Sequence, residues 1–534
     1  MPTRQSLLEQ FSRDFLGLDR TDPVCENPAN RRRVYLDSGA TTLMPQLVID
    51  SLVEYCGAAN ANSHTEAHRA GRDTTLAIEE ARDAIGRLVG YDPERDVVLF
   101  TGNGATGAIN FLARAIFPPP LRMIIKRFPS GPPQEFVDCF KHAMGDIGGA
   151  FLEEVQERPL VITTRMEHHS NLLPWIEAVG HHNLRAIDVD PTTGTLDLDH
   201  LKRVLDAEGH RVRVIAVTGL SNVTGIMTPI REIARMGHRS GAVVAVDGAQ
   251  WVPHCPVHLH DPVDPEASID YLAFSGHKLY APGSRGALVG RLSLLTDRRC
   301  VTDVGGGMVD YVSIEDYQLK EEVTAREEAG TPNVLGSIAM GVIAEVLLRI
   351  GMDIVEEAEQ ELAAHLMNRL TRIPDLTVYG ETDLKLVPRA GVVSFNIDGL
   401  NNGLVASYLN DFHNIAVRNG CFCAQPYAKQ LILGAGETFD CPGDLDIDTV
   451  SELNGDSTLP EKPGMVRASL GIYSTQADIE ALGTALEQLV TDQARIRDLY
   501  EPGGPEGTWL LKDGTRHPPT FRVTEPVDRW VSGC

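Results

Sequence analysis

Along residues 34 to 291 the chain alternates between two hydrophobic patterns. Short aliphatic and β-branched runs read as strands: VYLD at 34–37, DVVLF at 96–100, LVITT at 160–164, VRVIAVT at 212–218, AVVAVD at 242–247 and IDYLAF at 269–274. Between them lie stretches with helical spacing, such as TLAIEEARDAIGRLV at 75–89. The alternation predicts an α/β domain, a mostly parallel sheet covered by helices. Ligands of such sheets gather beyond the carboxyl ends of the strands, and the unusual residues of this sequence fall there.

Past residue 330 the pattern changes. A helical stretch from Thr331 to about Ala364, then TVYG, GVVSFNI, a helix near 402–412, NIAVR and a helix over 476–496 predict a smaller α+β domain. The expected division is an N-terminal segment over 1–33 packing near the small domain, a large domain over 34–330, a small domain over 331–499 and an extension over 500–534. The extension is rich in proline and glycine and reads as a surface arm. Segments 118–158 and 428–462 read as insertions, the first opening on a proline run, the second acidic and glycine-rich.

With 534 residues and 43% hydrophobic content the chain has material for more than one core, as expected of a multidomain soluble enzyme. Its 74 acidic against 48 basic residues give a net charge of −26, with no basic block. Phosphate backbones and anionic lipid surfaces are repelled, so neither nucleic acid nor membrane is an expected partner. There is no run of about 18 apolar residues and no secretory leader pattern, which points to the cytoplasm. Nine scattered cysteines do not suggest a disulfide framework. Cys421 and Cys423 form a C-x-C pair without a second ligand pair, so no metal is expected. Cys534 is the last residue and lacks the three that prenylation requires.

Three motifs carry chemistry. TGNGATGAINFLA at 101–113 follows a strand and opens a helix; it suits either a phosphate on the helix N-terminus or a structural turn. It also fits G-x-G-x-x-G, but the acidic residue a dinucleotide site needs about 20 residues on is missing. In AVVAVDGAQ, Asp247 ends an apolar strand and Gln250 follows on the turn. A carboxylate there serves either a cationic partner, such as a protonated pyridine nitrogen, or a cap. In DYLAFSGHK a strand delivers Ser275, His277 and Lys278 together, which suits an amine that forms an imine beside a phosphate.

The succession TGNGATGAIN, TTRMEHHSNLLPW, GLSNVTG, VDGAQ, FSGHK, EAGTPN, VRNGCFCA and VRASLGIYST resembles the class V aminotransferase superfamily, and within it the cysteine desulfurases and selenocysteine lyases. The resemblance runs from about Val34 to Leu489 outside the two insertions. It implies the pyridoxal 5'-phosphate (PLP) transferase fold type I, with a seven-stranded-type sheet in the large domain and a smaller α+β C-terminal domain. It makes Lys278 the Schiff-base lysine, Asp247 the partner of the pyridine nitrogen and His168 the residue stacked on the ring. Asn222 and Gln250 would approach the ring hydroxyl. Ala105 through its amide, Thr106, Ser275 and His277 would hold the phosphate, joined by Thr331 from the second subunit of a homodimer.

Arg467 matches the arginine that grips the substrate carboxylate, with Asn222 beside it, and Cys423 matches the desulfurase nucleophile. L-cysteine would yield L-alanine and a persulfide on Cys423, passed on to an acceptor protein or metabolite. Ala105 stands where many relatives have threonine, and GCFCA resembles the segment of molybdenum-cofactor sulfurases. The alternatives within the superfamily are a selenocysteine lyase, a cysteine lyase, an epimerase or an aminotransferase, with Cys423 uninvolved. A catalytically silent sulfur-relay scaffold is the alternative of another kind.

Overall fold

The computed structural model describes residues 2–128, 131–296, 303–433, 464–503, 507–517 and 519–533. Its centre is a sheet of seven strands: β1 (Asp96–Thr101), β2 (Leu160–Thr164), β3 (Leu184–Ile187), β4 (Val212–Thr218), β5 (Val243–Asp247), β6 (Tyr271–Ser275) and β7 (Gly286–Arg291). They lie in the order β1-β7-β6-β5-β4-β2-β3. From β6 through to β3 the pairing is parallel, whereas β7 runs antiparallel to both β1 and β6. The sheet is therefore mixed and mostly parallel.

Alternate residues of each strand feed two different cores, as the two-residue repeat of a strand requires. Val98, Phe100, Ile215, Val217, Val244, Val246, Leu272 and Phe274 face one layer, with Ile78 and Ile85 of the helix Arg69–Leu88 and Ile343 and Leu347 of the helix Val334–Ile350. Val97, Leu99, Val214, Ala216, Ala245 and Ala273 face the other, with Ile109 and Leu112 of the helix Gly104–Ile116 and with Trp175. Burial on both faces explains why these strands read as continuous apolar runs.

A second, antiparallel sheet comprises β8 (Leu376–Val378), β9 (Val392–Ile397), β10 (Arg418–Gly420) and β11 (Met465–Ser469), in the order β8-β9-β11-β10. Val393, Phe395 and Val466 pack against the helices Asn402–His413 and Gln476–Thr491.

Several expectations change. VYLD is not a strand of the large sheet: Val34–Tyr35 pairs with Ile415–Ala416, so it belongs with the smaller unit. The segment before it divides. Leu8 and Phe11 of the helix Arg4–Ser12 enter the large core, while Cys25 in the hairpin Thr21–Arg32 packs on the small one. The helix Val334–Ile350 lies on the large core rather than the small. Strands β3 and β7 escaped the sequence pattern, β3 because it is a four-residue edge with half-exposed positions, β7 because two glycines dilute GALVGR. Within 118–158, Leu121, Ile125 and Leu152 are buried in the second layer, so this segment completes a core. The tail is not only an arm: Tyr500 and Leu511 of the hairpin Tyr500–Pro502 and Trp509–Leu511 are buried in the small core, and Thr524–Ser532 is helical. Most of 428–462 lies outside the described residues.

Candidate active site

Five strand ends deliver the expected residues to one cleft of about 160 Å³ between the two sheets. After β1, Gly104 starts a helix with φ of +57°, and a Cβ there would lie 2.7 Å from Ser275 Oγ. The site therefore demands glycine. The Ala105 amide donates to Ser275 Oγ at 2.8 Å, and Thr106 Oγ1 lies 2.7 Å from Ser170 Oγ. His277 is half-buried beside them, and burial holds its imidazole down at about 4. A helix N-terminus flanked by hydroxyls and uncluttered by side chains is suited to an anion.

At the end of β5, Asp247 is buried, with Oδ1 accepting from the Ala249 amide at 3.0 Å. Burial raises its pKa, and Lys278 is the cation that opposes the rise. Burial likewise lowers the Lys278 ammonium to about 8, Asp247 opposing and Arg467 and Arg418 assisting. Desolvation thus leaves an amine with a substantial neutral fraction at ordinary pH.

His168 follows β2 on a short loop. Its Nδ1 accepts from the Ser170 amide at 3.1 Å, and burial, then Lys278, holds the ring neutral with a pKa of about 3. Glu167 behind it takes hydrogen bonds from Thr164 Oγ1 and Asn171 Nδ2, both at 2.6 Å, and from the Thr218 amide at 3.1 Å. These bonds fasten the His168 loop to the ends of β2 and β4, and burial pushes the Glu167 carboxyl up to about 8.

Gln250 donates from Nε2 to the Gly39 carbonyl at 2.7 Å, leaving Oε1 buried without a partner among the described residues. Asn222 donates from Nδ2 to the Phe422 carbonyl at 2.8 Å. Arg467, on β11, donates from Nη1 to the Asn222 carbonyl at 3.0 Å and from Nη2 to Asp37 at 3.1 Å; its buried Nε has no partner among the described residues. Cys423 is exposed and does not line the cleft, whereas the residue before it, Phe422, does. Cys421 is half-buried, and burial raises its thiol.

Ten of the expected residues thus line the cleft, Cys423 follows the lining residue Phe422, and Thr331 lies apart. It lies at the surface, where Asn62 Nδ2 donates to its Oγ1 at 3.1 Å. The structure adds Arg418, Asp37, Ser170 and Phe422, which sequence reasoning did not single out. For Arg418 a signal existed in VRNG, where it opens the edge strand β10; its cross-strand neighbour in the register is Arg467. Two facing guanidinium groups repel unless an anion joins them.

The orphaned Gln250 Oε1 and the cradle that a Cβ at Gly104 would fill are features a phosphorylated ring would satisfy, so the residues present fit PLP.

The profile described as Aminotransferase class-V matches residues 34–125 and 143–482, and the chain belongs to that family, whose members are PLP-dependent. Its fold is the PLP fold type I. The relatives within the family are more particular. A probable cysteine desulfurase of Halalkalibacterium halodurans is 32% identical over 470 residues, covering 87% of this chain and 95% of that protein. A cysteine desulfurase of Haloferax volcanii is 32% identical over 422 residues, covering 79% and 87%. Among solved structures, the apo cysteine desulfurase of Thermococcus onnurineus is 28% identical with a TM-score of 0.65, covering 86% of this chain and 95% of that one.

Proposed function

We propose that this chain is a PLP-dependent cysteine desulfurase that converts L-cysteine to L-alanine and carries the sulfur as a persulfide on Cys423. The observation that carries this reading is electrostatic and geometric. A desolvated lysine, a buried aspartate and a buried arginine converge on one cleft, and Phe422, which lines that cleft, immediately precedes the exposed thiol of Cys423.

The Ala105 amide, Thr106, Ser275 and His277 would hold the phosphate, Gln250 the ring hydroxyl, Asp247 the ring nitrogen and His168 the ring face. When bound, PLP supplies an electron sink for the amino acid attached to it. Arg467 binds the substrate carboxylate in the plane of its guanidinium. Lys278 in its neutral form takes the α-proton at Nζ. The Cys423 thiolate attacks the substrate sulfur; an S–S bond forms, the C–S bond breaks, and its electron pair stays with the carbon that becomes the alanine methyl after protonation. An acceptor nucleophile then takes the outer sulfur and releases the Cys423 thiolate.

A homodimer in the cytoplasm belongs to the same reading. Thr331 stands at the surface, outside this chain's own cleft, which suits a hydroxyl supplied to a second subunit's phosphate. No described helix is long and apolar enough to cross a membrane.

The test is incubation of the purified protein with L-cysteine, with alanine and protein-bound persulfide measured for the parent and Cys423→Ser. Loss of both products in the variant supports the proposal. Undiminished alanine release by Cys423→Ser would remove Cys423 as the nucleophile, and turnover of L-cysteine by the parent without alanine would assign another class V reaction.

A further inference from the structure

We propose that Phe422 is a positioning residue that locks the carboxylate-binding arginine to the nucleophile loop; this rests on the desulfurase reading above. Phe422 adopts φ of +53° and Cys423 φ of +56°, left-handed conformations that bulky side chains rarely take. Such strain persists only where the surroundings hold it, and three contacts do so. The Phe422 ring is buried and lies 5.0 Å from Arg467 Cζ, at cation–π distance. Its carbonyl accepts from Asn222 Nδ2 at 2.8 Å, and the Asn222 carbonyl accepts from Arg467 Nη1 at 3.0 Å. Arg467, Asn222 and Phe422 therefore form a closed circuit. The next carbonyl, that of Cys423, accepts from the His169 amide at 2.7 Å.

The consequence for chemistry is geometric. The backbone of Gly39 also closes on the guanidinium, since a Cβ there would lie 3.2 Å from Arg467 Cζ. The Phe422 ring and the Gly39 backbone crowd the guanidinium and limit the directions from which a carboxylate can reach it, and Nε is unpartnered among the described residues. Phe422 and Cys423 are consecutive, so their Cα atoms are about 3.8 Å apart. The ring that orients the substrate anchor thus also sets the position of the attacking thiol, and reactions of this kind tolerate little misplacement.

The test is a double-mutant cycle on the PLP-loaded enzyme with Phe422→Leu, Arg467→Lys and both together, and with Phe422→Tyr as the conservative control. Steady-state kcat and KM for L-cysteine, the visible spectrum and Tm are measured for each. Phe422→Leu is expected to lower kcat/KM about 30-fold, the worth of a desolvated cation–π contact, with the visible spectrum retained. Phe422→Tyr keeps the ring face and stays near the parent. In the Arg467→Lys background the leucine substitution should change kcat/KM by less than about twofold, because the coupled partner has gone. Phe422→Met repeats the cycle if the leucine variant unfolds. Equal losses in both backgrounds, or parent-like kinetics of Phe422→Leu, overturn the coupling while leaving the desulfurase reading intact. An Arg467→Lys variant with unaltered KM and kcat overturns the carboxylate assignment and the coupling with it.

Discussion

The amine of Lys278 should load PLP at a pH where an ordinary lysine scarcely reacts. Imine formation needs the neutral amine, and burial takes this group from 10.5 to about 8. At pH 7 that fall multiplies the neutral fraction about 300-fold. The sign follows from the proton: below about pH 8 the amine is mostly charged and loading slows, and above it the rate levels off. The assay is stopped-flow absorbance after mixing cofactor-free protein with PLP between pH 6 and 10. Dividing by the rate for Nα-acetyl-lysine, itself corrected for the neutral fraction of an amine that titrates near its ordinary value, removes the titration of PLP. Asp247 is the foremost of the groups that raise Lys278, so Asp247→Asn should move the midpoint further below 8. A midpoint near 10.5, or an upward movement in Asp247→Asn, would refute desolvation as the cause.

Other substitutions separate the remaining roles. Gly104→Ala places a methyl 2.7 Å from Ser275 Oγ at φ of +57°, so PLP affinity should fall by about tenfold or more in a fluorescence titration and Tm should fall with it; parent-like affinity would show that the helix end does not hold the phosphate. Cys421→Ser should keep most alanine release, since its thiol is half-buried and two residues from the nucleophile position; a loss matching that of Cys423→Ser would exchange their roles. Glu359 is buried, 2.6 Å from His254 Nδ1, and accepts from the Gly391 amide at 2.8 Å. Glu359→Ala strands both partners, and denaturant unfolding should show a loss of about 3 kcal/mol; a loss below about 1 kcal/mol would show that water replaces the carboxylate.

The legible parts of this fold were those where one residue type has one use. Strands such as VRVIAVT, buried on both faces, leave no polar position to confuse the pattern, and the residues at their ends are forced to the same side of the sheet. What escaped depended on partners distant in sequence. VYLD has the composition of a core strand, but pairs with Ile415–Ala416 nearly 400 residues on, which local pattern cannot show. Asp37 belongs to that same segment and becomes part of the site only because β11 brings Arg467 to it. Phe422 looked like an ordinary apolar residue between two cysteines. Its importance lies in a positive φ and a ring placed over a guanidinium, neither of which has a composition.

The local charge explains how a chain carrying −26 overall can serve an anionic cofactor and an anionic substrate. Lys278, Arg418 and Arg467 converge on the cleft, against Asp247 in its wall and Asp37 behind Arg467. Exposed acidic residues elsewhere are screened over about 8–10 Å of salt solution, whereas groups within a low-dielectric cleft are not. The same desolvation that lowers Lys278 and Arg467 also raises Asp247 and Asp37. Each of these groups is held away from the pKa it would have in water, and each would recover stabilisation from an opposite charge. A phosphate on the helix end, a cationic ring nitrogen on Asp247 and a carboxylate on Arg467 are the charges that would restore that balance. The cleft is therefore specified less by its shape than by the ionic partners its own residues lack.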